Sequence, residues 1–141
     1  MRRSLSACAL LLAGALLSAC NDSTFVSDQL GCDEVHSFSV GSDESGRLST
    51  GDCQLQDGSA VDYYRINVNG DRLVHVLLTS NEINPYVVIM DRNGNVVWDE
   101  DNGGTGFSEL FADLSSGTYY IAATSFDVGD YGQYLLETQY E

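Results

Sequence analysis

The sequence predicts an all-β domain, an antiparallel β-sandwich of jelly-roll type with about eight strands. Three observations carry this. Segments of five to eight residues with apolar positions at period two recur along the chain, as half-buried strands require. Turn chemistry separates them, as in Asn69-Gly70-Asp71, Asn93-Gly94 and Ser115-Ser116-Gly117. From residue 20 onward no segment shows a helical period, and the chain holds a single proline. Many short strands joined by turns make a sandwich rather than a mixed fold.

The elements follow in order. Residues 33–57 are rich in serine, glycine and acids, with weakly patterned strands expected at 36–40 and 47–50. From residue 61 the pattern sharpens. Residues 61–68 place Tyr64, Ile66 and Val68 against Arg65 and Asn67, and 72–79 place Val74, Val76 and Leu78 opposite Leu73, His75 and Leu77. Residues 86–90 and 96–98 flank Asn93-Gly94, a hairpin signal. In 107–114, Phe107, Glu109, Phe111 and Asp113 share one face and Leu110, Ala112 and Leu114 the other. The last two strands are expected at 118–124 and 133–139.

The amino terminus has a different character. Arg2 and Arg3 precede an apolar run from Ala7 to Leu17, the layout of a secretory signal. The run is shorter than the roughly 20 apolar residues a membrane span needs. It ends in Leu17-Ser18-Ala19-Cys20, which resembles the bacterial lipobox. The resemblance implies removal of residues 1–19 and acylation of Cys20 (palmitate among its chains), giving a lipoprotein. The alternative is an ordinary signal that leaves Cys20 a free thiol. Two or three acyl chains would hold the protein firmly, each buried methylene contributing about 0.8 kcal/mol. Residues 20–31 then read as a lipidated tether and 32–141 as the domain. Asn21 stands where an aspartate often retains lipoproteins at the inner membrane. The expected location is therefore the cell envelope, at the outer membrane in an organism that has one.

Composition excludes some partners. Without residues 1–19 the chain keeps 122 of its 141 residues, the size of one domain. It also keeps all 21 acidic residues and four arginines, and it has no lysine, so the formal charge becomes −17. Nucleic acid is excluded as a partner, because its binding depends on Lys and Arg neutralising phosphates. Cationic partners, divalent metal or plain solubility fit such a charge. Cys32 and Cys53 are expected to pair as a disulfide in an oxidising compartment. A shared metal site is the rival reading, without a Cys-x-x-Cys motif to support it.

Several segments together resemble the bacterial pre-peptidase C-terminal domain. These are Asp62-Tyr63-Tyr64-Arg65-Ile66, Asn69-Gly70-Asp71, Val87-Val88-Ile89-Met90-Asp91 with Gly94, Gly117-Thr118-Tyr119-Tyr120-Ile121 and Tyr131-Gly132-Gln133-Tyr134. The match spans residues 46–140. The resemblance implies a non-catalytic β-sandwich, a type of domain usually appended to secreted proteases. Here a lipid anchor, rather than an attached protease, is the expected setting. Related collagen-binding domains of bacterial collagenases bind calcium near the start of the sandwich and collagen on one sheet face. Asp62 matches one of their calcium-binding acidic positions, while Ser59 stands at the neighbouring one with Asp57 as the nearest substitute. The alternative is a solvated acidic loop. Asp91-Arg92-Asn93-Gly94-Asn95 resembles the start of an EF-hand loop but meets Asn102 where the bidentate glutamate belongs, so a hairpin explains it better.

No catalytic motif surrounds His36 or His75, and Gly103-Gly104-Thr105-Gly106 lacks the lysine of a phosphate loop. Eight tyrosines, five phenylalanines and Trp98 exceed the needs of a small core. Tyr63, Tyr119, Tyr131 and Tyr140 are candidates for an exposed aromatic binding face, with core packing the alternative. The expected function is a non-catalytic envelope module, not an enzyme, that binds an envelope protein or polysaccharide. The alternative is a calcium-stabilised structural domain that assists a partner. A hydrolase ranks third.

Overall fold

The computed structural model describes residues 31–100 and 106–141. Ten strands occur among them: β1 (Val35–Ser37), β2 (Asp43–Leu48), β3 (Cys53–Gln54), β4 (Ala60–Val68), β5 (Arg72–Thr79), β6 (Pro85–Asp91), β7 (Val96–Glu100), β8 (Phe107–Leu114), β9 (Gly117–Ser125) and β10 (Gly132–Tyr140). They form two sheets. The six-stranded sheet runs β1-β4-β9-β6-β7, with β3 also paired to β4, and the four-stranded sheet runs β2-β10-β5-β8. The all-β sandwich expected from the pattern is the fold observed. The signal segment, Cys20 and the tether up to Leu30 lie outside the described residues, as does the part of the acidic loop from 101 to 105.

Two details correct the expectation. There are ten strands rather than about eight, because β1 and β3 are only three and two residues long and carry no readable period. The pairing is also not wholly antiparallel. β1 runs parallel to β4, with Val35 beside Tyr63 and Ser37 beside Arg65. In addition, β2 starts earlier than expected and ends at Leu48. Its bounds come from pairing with β10, from Gly132 beside Leu48 to Glu137 beside Asp43, and not from any hydrophobic alternation of its own.

The core lies between the sheets. On β4 the even positions Ala60, Tyr64, Ile66 and Val68 point inward, and they meet Val74, Val76 and Leu78 of β5 in one buried cluster. Leu110, Ala112 and Leu114 of β8 join the same cluster. The odd positions of β4 should then face water, yet Val61 and Tyr63 are buried. A second cluster covers them, made with Cys32, Val88, Met90, Tyr120 and Ala122 and packed by Val35, Cys53 and Leu55. The Cys32–Cys53 disulfide pins this cover to the sheet, with Cα atoms 5.6 Å apart.

The β6–β7 hairpin closes as its Asn93-Gly94 signal predicts. Gly94 adopts φ 79°, a left-handed conformation that glycine tolerates without strain. The Asp91 carboxylate accepts bonds from the backbone N–H groups of Asn93 and Asn95, at 2.8 and 3.0 Å. These bonds and the Asn95 side-chain amide hold its carboxyl below the usual carboxylate range. An EF-hand role for this loop gives way to a capped turn.

Candidate functional site

The outer face of the four-stranded sheet is an open surface whose side chains the strand register defines. On β5 and β8 it pairs Leu73 with Asp113, His75 with Phe111, Leu77 with Glu109 and Thr79 with Phe107. From β10 it adds Gln139 beside His75, Glu137 beside Leu77 and Leu135 beside Thr79. These positions alternate with the buried core residues, as the pleat requires. The result is a grid of apolar side chains set among carboxylates. Phe107 and Phe111 are 37% and 48% exposed.

The centre of the grid is ordered by contacts around His75. Its ring stacks on Phe111 at 4.3 Å between centroids and 5° between planes. Nε2 lies 2.8 Å from Oε1 of Glu109. Nδ1 lies 3.2 Å from Nε2 of Gln139 and 3.6 Å from a Glu141 oxygen. The imidazole is thus bracketed by carboxylates, an amide and a phenyl ring. Such bracketing fixes the orientation of Phe111, which lowers the entropy cost of using it as a contact.

At one end of the face a cavity of about 580 Å³ opens between Arg47, Ser80, Glu82, Gln133 and Tyr134. Arg47 and Glu82 lie 3.4 Å apart across it, and Glu82 accepts the N–H of Gln133 at 2.9 Å. Both charges are well exposed, so this pair adds little stability.

The residues singled out from sequence fall in different places. Tyr63 is 2% exposed and belongs to the second buried cluster, which removes it from any binding face. Tyr119 is half-buried, packs against the core and donates to the Ser115 carbonyl at 3.0 Å. Tyr140 also packs on the core, with the Arg72 guanidinium 4.7 Å above its ring. Tyr131 is exposed, on the β9–β10 connection with Phe126 and Val128. The exposed aromatics of the open face are phenylalanines. Their period-two placement with Glu109 and Asp113 was readable in the sequence, and the acids mark that face as the outward one.

Asp57 and Asp62 have protein partners. Asp57 accepts the N–H of Ser59 at 2.9 Å. Asp62 accepts the Tyr134 hydroxyl at 2.5 Å, and that hydroxyl also meets Tyr64 Oη at 2.6 Å. Burial pushes the Asp62 carboxyl above its ordinary range, and the bond from Tyr134 works against the rise. Burial also raises Tyr64 to about 12, and raises Tyr134 strongly, with the bond to Asp62 adding to it. Tyr134 donates to Asp62, either hydroxyl can donate in its contact with Tyr64, and the trio ties β4 to β10 across the sandwich. Among the described residues no three His, Cys, Asp or Glu side chains gather into a group that could hold a metal ion.

No protein-family model and no curated protein matches the sequence. Solved structures do. The pre-peptidase C-terminal domain of a collagenase from Bacillus anthracis aligns with a TM-score of 0.59 at 19% identity, covering 75% of this chain and 95% of that one. The fold is that of a pre-peptidase C-terminal domain. PliG of Aeromonas hydrophila, a periplasmic inhibitor of g-type lysozyme, aligns with a TM-score of 0.54 at 12% identity, over 77% of this chain and 98% of that one. The same sandwich thus occurs in a domain of a collagenase and in a periplasmic inhibitor of g-type lysozyme. At these identities the likeness concerns the fold.

Proposed function

We propose that this chain is a lipid-anchored, non-catalytic accessory module of the cell envelope, and that it binds a protein partner through the outer face of its four-stranded sheet. One observation carries the reading: Phe107 and Phe111 stand exposed on one strand, alternating with Glu109 and Asp113, while Glu137 and Glu141 belong to the far side of the same sheet face. A few exposed aromatics fixed on a rigid sheet and rimmed by charge are what protein interfaces use as anchors.

Three further points support it. The Cys32–Cys53 disulfide suits an oxidising compartment outside the cytoplasm. The Leu17-Ser18-Ala19-Cys20 motif supplies the anchor, and a tether of about 11 residues reaches at most roughly 40 Å. PliG shares the fold and is an inhibitor of another protein, g-type lysozyme. The chemistry around His75 also favours binding over catalysis, since its neighbours are carboxylates, an amide and a phenyl ring rather than a nucleophile.

The test is retrieval from intact envelopes with the mature lipidated protein, alongside a Phe107→Ser/Phe111→Ser variant. The wild type should retain a protein that the variant loses, and mass spectrometry should find Cys20 acylated. An unmodified Cys20 removes the anchor from this reading. Equal retrieval by the variant removes the sheet face.

A further inference from the structure

The two sheets end in strands of very different character. β1 and β3 are three and two residues long. β2 carries the polar run Asp43-Glu44-Ser45-Gly46-Arg47. β7 has five residues and a register shift where it meets β6, between Ile89 and Met90. These are the usual means by which proteins blunt a sheet edge, through shortness, polarity and bulges. β8 is neither short nor bulged, and its Glu109 and Asp113 make its solvent face acidic. It holds unbroken register with β5 over eight residues, from Phe107 to Leu114, and among the described residues no strand pairs with its other side.

The side chains of β8 also form a readable template. Phe107, Glu109, Phe111 and Asp113 alternate aromatic and acid along the solvent face. Strand addition to an open edge gains affinity from backbone hydrogen bonds and specificity from side chains at alternate positions. Directly opposed residues of opposite charge, and aromatic pairs, favour a cross-strand match, whereas like charges oppose it. A second copy of this chain would set acids against acids, and the whole molecule, at a formal charge of −15, would repel it. A basic segment meets neither obstacle.

We propose that β8 accepts an extended, basic segment of a partner protein as a fifth strand of its sheet. The inference rests on the reading of the chain as a protein-binding module and specifies the partner's chemistry. On the added strand, arginine or lysine would lie opposite Glu109 and Asp113, with apolar or aromatic residues opposite Phe107 and Phe111. The His75 stack holds Phe111 in place for that contact.

Three eight-residue peptides test this against the mature wild-type chain by fluorescence anisotropy. The first alternates tyrosine and arginine along one face with threonine on the other. The second replaces arginine with glutamate. The third repeats the first with methyl groups on the backbone nitrogens that would face β8. The first peptide should bind at least about tenfold more tightly than the other two, since charge match and backbone pairing both contribute. A Glu109→Lys/Asp113→Lys variant, checked by circular dichroism, should reverse the preference between the first two. Equal binding of the methylated peptide, equal binding of the acidic one, or no binding of the first at millimolar concentration overturns strand addition. If envelope retrieval still depends on Phe107 and Phe111 after such a failure, the protein-binding reading survives. If it does not, both fall.

Discussion

Tyr134 shows how one side chain can hold a sandwich closed. Its hydroxyl bridges Asp62 and Tyr64 of β4, while its ring lies over Gly46 of β2. A Cβ at position 46 would sit 2.2 Å from Cζ and Oη of that ring, and the ring cannot yield without losing both bonds. Gly46→Ala should therefore cost about 1–3 kcal/mol in denaturant titration, the range for overpacking. Tyr134→Phe removes the donor and leaves the partly buried Asp62 without it, which should cost about 1–3 kcal/mol as well. The pH dependence has a definite sign. The fold raises the Asp62 carboxyl, so its contribution to stability is complete below the unfolded value and is lost as pH rises through the raised one. Asp62→Asn keeps an acceptor for Tyr134 without that charge. Its melting temperature relative to wild type should rise between pH 3 and pH 7; a flat difference would mean that Asp62 titrates normally. None of this trio was legible in the sequence as a unit, because Asp62 and Tyr134 are 72 residues apart and nothing in either segment announces the other.

At the scale of elements, the strands that were legible are those whose own residues alternate. β5 and β8 were readable to the residue because Val74, Val76, Leu78 and Leu110, Ala112, Leu114 repeat at period two. β1, β2 and β3 were not, since their bounds are set by the strands they pair with and by a covalent link. The fate of Tyr63 follows from the same gap. Alternation on β4 assigns it to the outer face, and only the segment pinned by Cys32 and Cys53 reveals that this face is covered. Breaking the link tests the cover. Cys32→Ser/Cys53→Ser should lose about 3 kcal/mol through the freed loop of 21 residues. It should also expose Tyr63, read as a rise in tyrosine accessibility to solvent perturbation. Unchanged accessibility would show that packing of Val35 and Leu55 holds the cover without the disulfide. By contrast, Phe107→Ser/Phe111→Ser should cost less than a core truncation, about 1–2 kcal/mol, since the two residues are 37% and 48% exposed and only Phe111 has a ring stack to lose.

For the whole molecule, charge and topology act together. Twenty-one acids against six arginines, two of them ahead of Cys20, repel one another across a small domain. Added salt screens that repulsion, so the melting temperature should rise by several degrees between low and physiological ionic strength. On the proposed reading, the same charge favours a basic partner. The disulfide-pinned cover sits on the six-stranded sheet. The four-stranded sheet is the opposite layer and carries Phe107 and Phe111. A photo-crosslinking residue placed at position 111 of the lipidated protein, compared in intact cells with one at position 67 on the other sheet, measures which face meets a partner. The account predicts a discrete protein adduct from position 111 and none from position 67. Adducts of equal yield from both positions, or from position 67 alone, would contradict it.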